Sequence, residues 1–113
     1  MDRETKVPIK KYAEVIGCHV KTVLRAVSGE DHPSDWAPDD EPVNKVARAF
    51  GMRPSTMIDV LKGKVKLITT EDAATMLEVS IRRFHQMREE GKTPAPAITR
   101  GRIVRYFDSD FSL

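Results

Sequence analysis

The chain has 113 residues, 40% of them hydrophobic and 32% charged, the composition of a soluble globular protein with room for one domain or two very small ones. A net charge of +2 is too small to imply a polyanionic partner by itself, and no apolar run approaches the eighteen or so residues of a membrane span. The opening MDRETKVPIKKY lacks the apolar stretch of a signal peptide, and the lone Cys18 excludes an internal disulfide, so the expected setting is a reducing cytoplasm.

Charge is patterned along the chain. Residues 1–29 hold six Lys/Arg against three Asp/Glu, and residues 42–69 hold six against one. Residues 80–106 hold seven against two. The stretch 30–41, EDHPSDWAPDDE, carries six acids and no Lys or Arg. Basic blocks interrupted by an acidic loop describe a patterned field, not a uniformly sticky surface. Trp36 in that loop is expected to fold back onto the helices.

In chain order, the first helical segment is KKYAEVIGCHVKTVLRAVSG. Ala13 is followed by Gly17, Val23 and Ala26 at intervals of four, six and three. In VNKVARAFGMRPSTMIDVLKG the same intervals separate Ala47, Gly51, Met57 and Val60. In TEDAATMLEVSIRRFHQMREEG they separate Ala74, Glu78, Phe84 and Met87. This spacing predicts a helix, a tight turn and a second helix crossing steeply, with a small residue at the crossing and a residue of positive φ in the turn: a helix-turn-helix unit, three times over. Glu78 stands where glycine is usual and is expected to take the turn at some cost. Pro54 suits a first helical position, and Ser80 suits an N-cap. Cys18 reads as a small buried residue of the first turn.

The outward residues distinguish the three copies. At about 100° per residue, Ile81, Phe84 and Met87 define the inward face of the third copy. Arg82 and Gln86 then point away, with Arg83 and His85 on the flanks. Arginine grips guanine and glutamine grips adenine in the major groove, so these are residues suited to reading base edges. The first copy offers Lys21, Thr22 and Arg25 at equivalent positions, again a set compatible with DNA. The second offers Ser55, Thr56 and Asp59, with no cation, and reads as packing scaffold.

After the third copy, Gly91 ends the helix and Pro94 and Pro96 forbid its continuation. AIT and RIVRYF then flank Arg100-Gly101, which predicts a β-hairpin with Arg100 and Arg102 at its tip and Arg105 further along. A basic hairpin after a helix-turn-helix is a wing, which reaches phosphates or the minor groove.

Residues 67–111, LITTEDAATMLEVSIRRFHQMREEGKTPAPAITRGRIVRYFDSDF, resemble the excisionase-type, MerR-like winged helix-turn-helix domain. The resemblance lies in a threonine-capped helix with an Ala-Ala pair, a Val-Ser turn, a second helix, a Gly-Lys-x-Pro-x-Pro bend and a Gly-Arg-x-Val-Arg-Tyr strand. It implies DNA contacts by Arg82, Arg83 and Gln86, and by Arg100, Arg102 and Arg105. More loosely, residues 9–63 resemble the helical DNA-binding domains of lambda-repressor-like proteins, with the usual first helix missing or very short.

The expected architecture is thus mainly α: a helical helix-turn-helix module over 1–66 and a winged helix-turn-helix with a small β-hairpin over 67–113. The resemblance implies sequence-specific binding of double-stranded DNA in a bacterial host cell, as a recombination directionality factor (excisionase) of a phage or mobile element or as a small transcriptional regulator. Partners of that class are a homo-oligomer or cooperative array on DNA and a recombinase. The alternative is a phage assembly or packaging adaptor that uses helix-turn-helix units for protein interaction. His19, His32 and His85 are scattered, with no recognisable triad or metal spacing, so neither catalysis nor a cofactor is expected.

Overall fold

The computed structural model describes residues 1–28 and 40–111. The expectations for Trp36 and for most of the acidic stretch lie outside those residues. The described chain forms six α-helices with two small antiparallel sheets and divides into two compact units, Met1–Lys64 and Val65–Leu113. The division falls two residues earlier than the sequence implies. Lys66 already belongs to the second unit, because its N–H donates to Asp108 Oδ1 at 3.1 Å and its carbonyl accepts from the Asp108 N–H at 3.0 Å.

The first unit runs β1 (Lys6–Pro8), α1 (Ile9–Ile16), α2 (Val20–Ser28), β2 (Asp40–Pro42), α3 (Val43–Ala49) and α4 (Pro54–Leu61). Helix α1 buries Ile9, Tyr12, Ala13 and Ile16, a spacing that sets one apolar stripe along a helix. Val43, Val46, Ala47 and Phe50, each 34 places further on, are buried in the same way over α3 and its cap. The strands obey the same offset. Lys6 pairs with Pro42, Val7 with Glu41 and Pro8 with Asp40. Val7 therefore lies opposite its own counterpart, and the flanking pairs exchange roles across it. The first unit is a β-α-α element met twice, its two strands joined by a self-complementary ladder. Each proline sits at the end of a strand and immediately before a helix, where a missing N–H costs least.

Glu41 occupies the buried place that Val7 holds in the first element and is only 5% exposed. Burial of a carboxylate requires a partner; Lys45 Nζ supplies one at 3.3 Å. The Glu41 carbonyl accepts from the buried Tyr12 hydroxyl at 2.8 Å.

The second unit runs β3 (Leu67–Ile68), α5 (Thr70–Met76), α6 (Ile81–Glu89), β4 (Ile98–Arg100), β5 (Ile103–Phe107) and a 3-10 turn at Asp108–Phe111. Its sheet has the order β3-β5-β4, all antiparallel. Helix α5 starts with a reciprocal cap: the Asp72 N–H donates to Thr69 Oγ1 at 3.1 Å, and the Thr69 N–H donates to Asp72 Oδ2 at 3.4 Å. The core gathers Ala73 and Ala74 from α5, Phe84 from α6, Tyr106 from β5 and Phe111 from the terminal turn. The three rings meet at centroid separations of 5.4, 6.1 and 5.6 Å, two of the pairs edge to face. Those contacts fix the hairpin strand against α6.

Candidate nucleic-acid interface

One turn geometry recurs at the three places of equal spacing. The Cys18, Met52 and Val79 N–H groups donate to the carbonyls of Ala13, Ala47 and Ala74, at 3.0, 2.8 and 3.0 Å. The residues one step earlier, Gly17, Gly51 and Glu78, have φ of +77°, +71° and +59°. This bond from five residues on, closed over a left-handed residue, is the Schellman way of ending a helix. It explains why the interval from alanine to turn residue is fixed. In each case the second helix begins three residues after the left-handed one, at Val20, Pro54 and Ile81.

The residue just before each second helix receives it differently. Ser80 Oγ accepts from the Arg83 N–H at 3.1 Å, an N-cap. His19 takes a related role through Nδ1, which accepts from the Lys21 N–H at 3.1 Å. Arg53 makes no side-chain cap, and Pro54 opens α4 instead.

On α6, Phe84 is fully buried and Arg82, Arg83, His85 and Gln86 are all exposed. They form one polar face over the first half of the helix. Ile81 departs from the sequence expectation: it is 44% exposed, and Met87 is only half-buried. Ile81 is the first residue of α6 and stays exposed, so the inward face centres on Phe84, the one buried residue of the helix. An exposed isoleucine beside arginines adds an apolar surface of the kind that meets a thymine methyl.

Arg83 and Gln86 are joined, Arg83 Nη1 donating to Gln86 Oε1 at 3.0 Å. Arg83 also faces Glu90 at 3.8 Å, and Lys92 Nζ holds the same carboxylate at 2.8 Å. Hydrogen bonding by Lys92, with the charges of Lys92 and Arg83, holds the Glu90 carboxyl below its ordinary value. Glu90 and Lys92 were not picked out by outward position alone. The helix ends with Gly91 at φ +73°, as its sequence implies.

The hairpin forms one residue out of the expected place. Arg100 pairs with Ile103, so the central residues are Gly101 and Arg102, not Arg100 and Gly101. Gly101 has φ +56°, and glycine in the first central position is what a type II′ hairpin turn requires. Arg100 and Arg102 are exposed at this tip. Arg105 is half-buried on β5, and its Nη1 donates to the Val104 carbonyl at 2.8 Å, so it is held more closely to the sheet than the tip arginines.

In the first unit, Lys21 and Arg25 of α2 are exposed and Thr22 is half-buried. The matching places on α4 hold exposed Ser55 and half-buried Thr56 and Asp59. Cys18 is half-buried within the first turn. Among the described residues no cluster of His, Cys, Asp or Glu could hold a metal ion, and no helix is long and apolar enough to cross a membrane. Comparison with known protein families, with curated proteins and with solved structures gives no match to this chain.

Proposed function

We propose that the protein binds double-stranded DNA in a sequence-specific manner, α6 entering the major groove and the β4–β5 hairpin gripping the backbone as a wing. The second unit is then a winged helix-turn-helix of excisionase or MerR type, and the first a helix-turn-helix module whose α2 adds a second, weaker grip. The observation that carries this reading is the second unit itself. A capped helix bearing exposed Arg82, Arg83 and Gln86 is locked by Phe84 to the strand of an arginine-tipped hairpin. Proteins of this design position and bend DNA without cutting it, which suits an excisionase of a phage or mobile element or a small transcriptional regulator in a bacterial cytoplasm. Assembly in an array on DNA, or beside a recombinase, follows from the same role.

A second reading, an assembly or packaging adaptor, is favoured by one observation. Met76 and Ile81 of the second unit are 41% and 44% exposed, apolar surface that a protein partner would cover.

A binding isotherm across a salt series separates the two. DNA binding through phosphate contacts gives log K falling linearly with log salt, by about 0.9 for each phosphate neutralised. Replacing Arg102 by alanine should lower that slope by about one such step. Undetectable or salt-independent binding to duplex DNA refutes the proposal and leaves the adaptor.

A further inference from the structure

The polar face of α6 is a linked set of side chains. Arg83 Nη1 donates to Gln86 Oε1 at 3.0 Å, the same nitrogen lies 3.8 Å from Glu90 Oε1, and Lys92 Nζ is 2.8 Å from Glu90 Oε2. A guanidinium can only donate, so the Gln86 atom turned toward it is the amide oxygen. The Gln86 amide nitrogen is then turned away from Arg83.

This arrangement changes what the helix can read. Glutamine recognises adenine with both ends of its amide, the oxygen accepting from N6 and the nitrogen donating to N7. With one of the oxygen's two lone pairs engaged by Arg83, that fork is weakened. Apart from His85, whose imidazole can offer an acceptor, and the exposed carboxylate of Glu89 near the helix end, the groups left on the face are donors: the N–H groups of Arg82, the remaining N–H groups of Arg83 and the Gln86 amide nitrogen. At the helix end the Glu90 carboxylate is paired with Lys92 and faces Arg83, while Glu89 stands exposed beside it. The donor set of Arg82, Arg83 and the Gln86 amide nitrogen matches guanine, whose major-groove edge offers O6 and N7 as acceptors. It mismatches adenine and cytosine, whose exocyclic amines need an acceptor.

Resting on the proposed DNA-binding role, we infer that α6 reads guanine, with Arg83 as the base-contacting residue and Gln86 and Glu90 as the residues that position it. Arg83 is tethered at Nη1 by the amide oxygen, with a carboxylate paired to Lys92 facing the same nitrogen. Part of the ordering cost of a long side chain is therefore met before DNA is encountered.

The test is selection of duplexes by the full chain from a randomised pool. Affinities for the selected duplex follow, measured with each guanine replaced in turn by 7-deazaguanine, which lacks the N7 acceptor. The expected result is guanine enrichment and, at one step or more, a loss of roughly three-fold or more, with about a hundred-fold, the upper range of a full bidentate base contact, as its ceiling because O6 remains. Arg83→Ala should abolish the sensitivity at that step. Glu90→Gln should cut discrimination between guanine and adenine there several-fold, with affinity for a random duplex no lower than before. All three positions are exposed, and circular dichroism checks that the variants fold. Enrichment of adenine that is lost in Gln86→Ala overturns the inference and leaves DNA binding intact. So does guanine dependence that survives Arg83→Ala. Failure to bind any duplex overturns the proposed function and the inference together.

Discussion

Replacing Glu78 by glycine should make the second unit more stable. Glu78 is the one described residue other than glycine with positive φ, +59°, at the place where the two matching turns have Gly17 and Gly51. The left-handed region brings Cβ against the neighbouring carbonyl and costs a residue with a side chain roughly 1–2 kcal/mol, a penalty glycine escapes. Against that gain, glycine has more freedom to lose on folding, about 0.4–1 kcal/mol. The difference leaves about 0.5–1 kcal/mol in favour of Glu78→Gly. The reciprocal change isolates the same term, because a Cβ added at Gly51 meets no atom within 4 Å and only its φ of +71° opposes it. Amide hydrogen exchange read by NMR resolves the two units separately. Under exchange through global opening of the second unit, the Phe84 N–H, which donates to Ser80, should slow by roughly two- to five-fold in Glu78→Gly. Core amides of the first unit should speed up in Gly51→Ala. An unchanged or faster Phe84 amide in Glu78→Gly would show that the turn carries no such strain, and would sink the reasoning.

The Tyr106 hydroxyl is buried with no hydrogen-bond partner among the described residues, so Tyr106→Phe should raise the stability of the second unit by about 1 kcal/mol, read as slower exchange of the same Phe84 amide; a destabilised variant would contradict this. In the first unit, burial first, then the charges of Glu41 and Asp40, raise the Tyr12 phenol above its ordinary 10.0. A raised value in the folded state means the contribution is fully present below pH 10.0 and is lost as pH climbs toward the folded value, because the unfolded chain ionises first. Urea midpoints of the first unit should therefore fall between about pH 8 and about pH 11, and Tyr12→Phe should show a smaller fall.

The turns were legible in the sequence because their chemistry is local. The carbonyl at Ala13, Ala47 or Ala74 accepts from a donor five residues on only if the residue between is left-handed, so spacing and geometry are one constraint. The same holds for Thr69, Ser80 and Gly91, whose capping needs only near neighbours. The pairing of Lys6–Pro8 with Asp40–Pro42 was hidden, since strands of three residues ending in proline show no alternation and lie far apart in the chain. The hairpin tip was misplaced by one residue because Arg-Gly-Arg offers glycine to either register, and the cross-strand pair Arg100–Ile103 decides between them. Ile81 was misassigned because recurrence every third residue drifts around a helix, and only Phe84 is fully covered. The Arg83–Gln86–Glu90 linkage depends on side-chain rotamers, which residue identity does not dictate.

The self-complementary ladder of β1 and β2 gives the first unit the internal symmetry of a dimer within one polypeptide. Two separate subunits encoded alike must present identical helices, and their natural target is a palindrome. Joined in one chain, the halves are released from that requirement. Lys21 and Arg25 on α2 face no duty to recur on α4, where Ser55 and Asp59 stand in their places. The fold keeps the strand ladder of a symmetric pair while α2 and α4 differ in charge, so under the proposed role one half would grip an asymmetric ligand and the other support it.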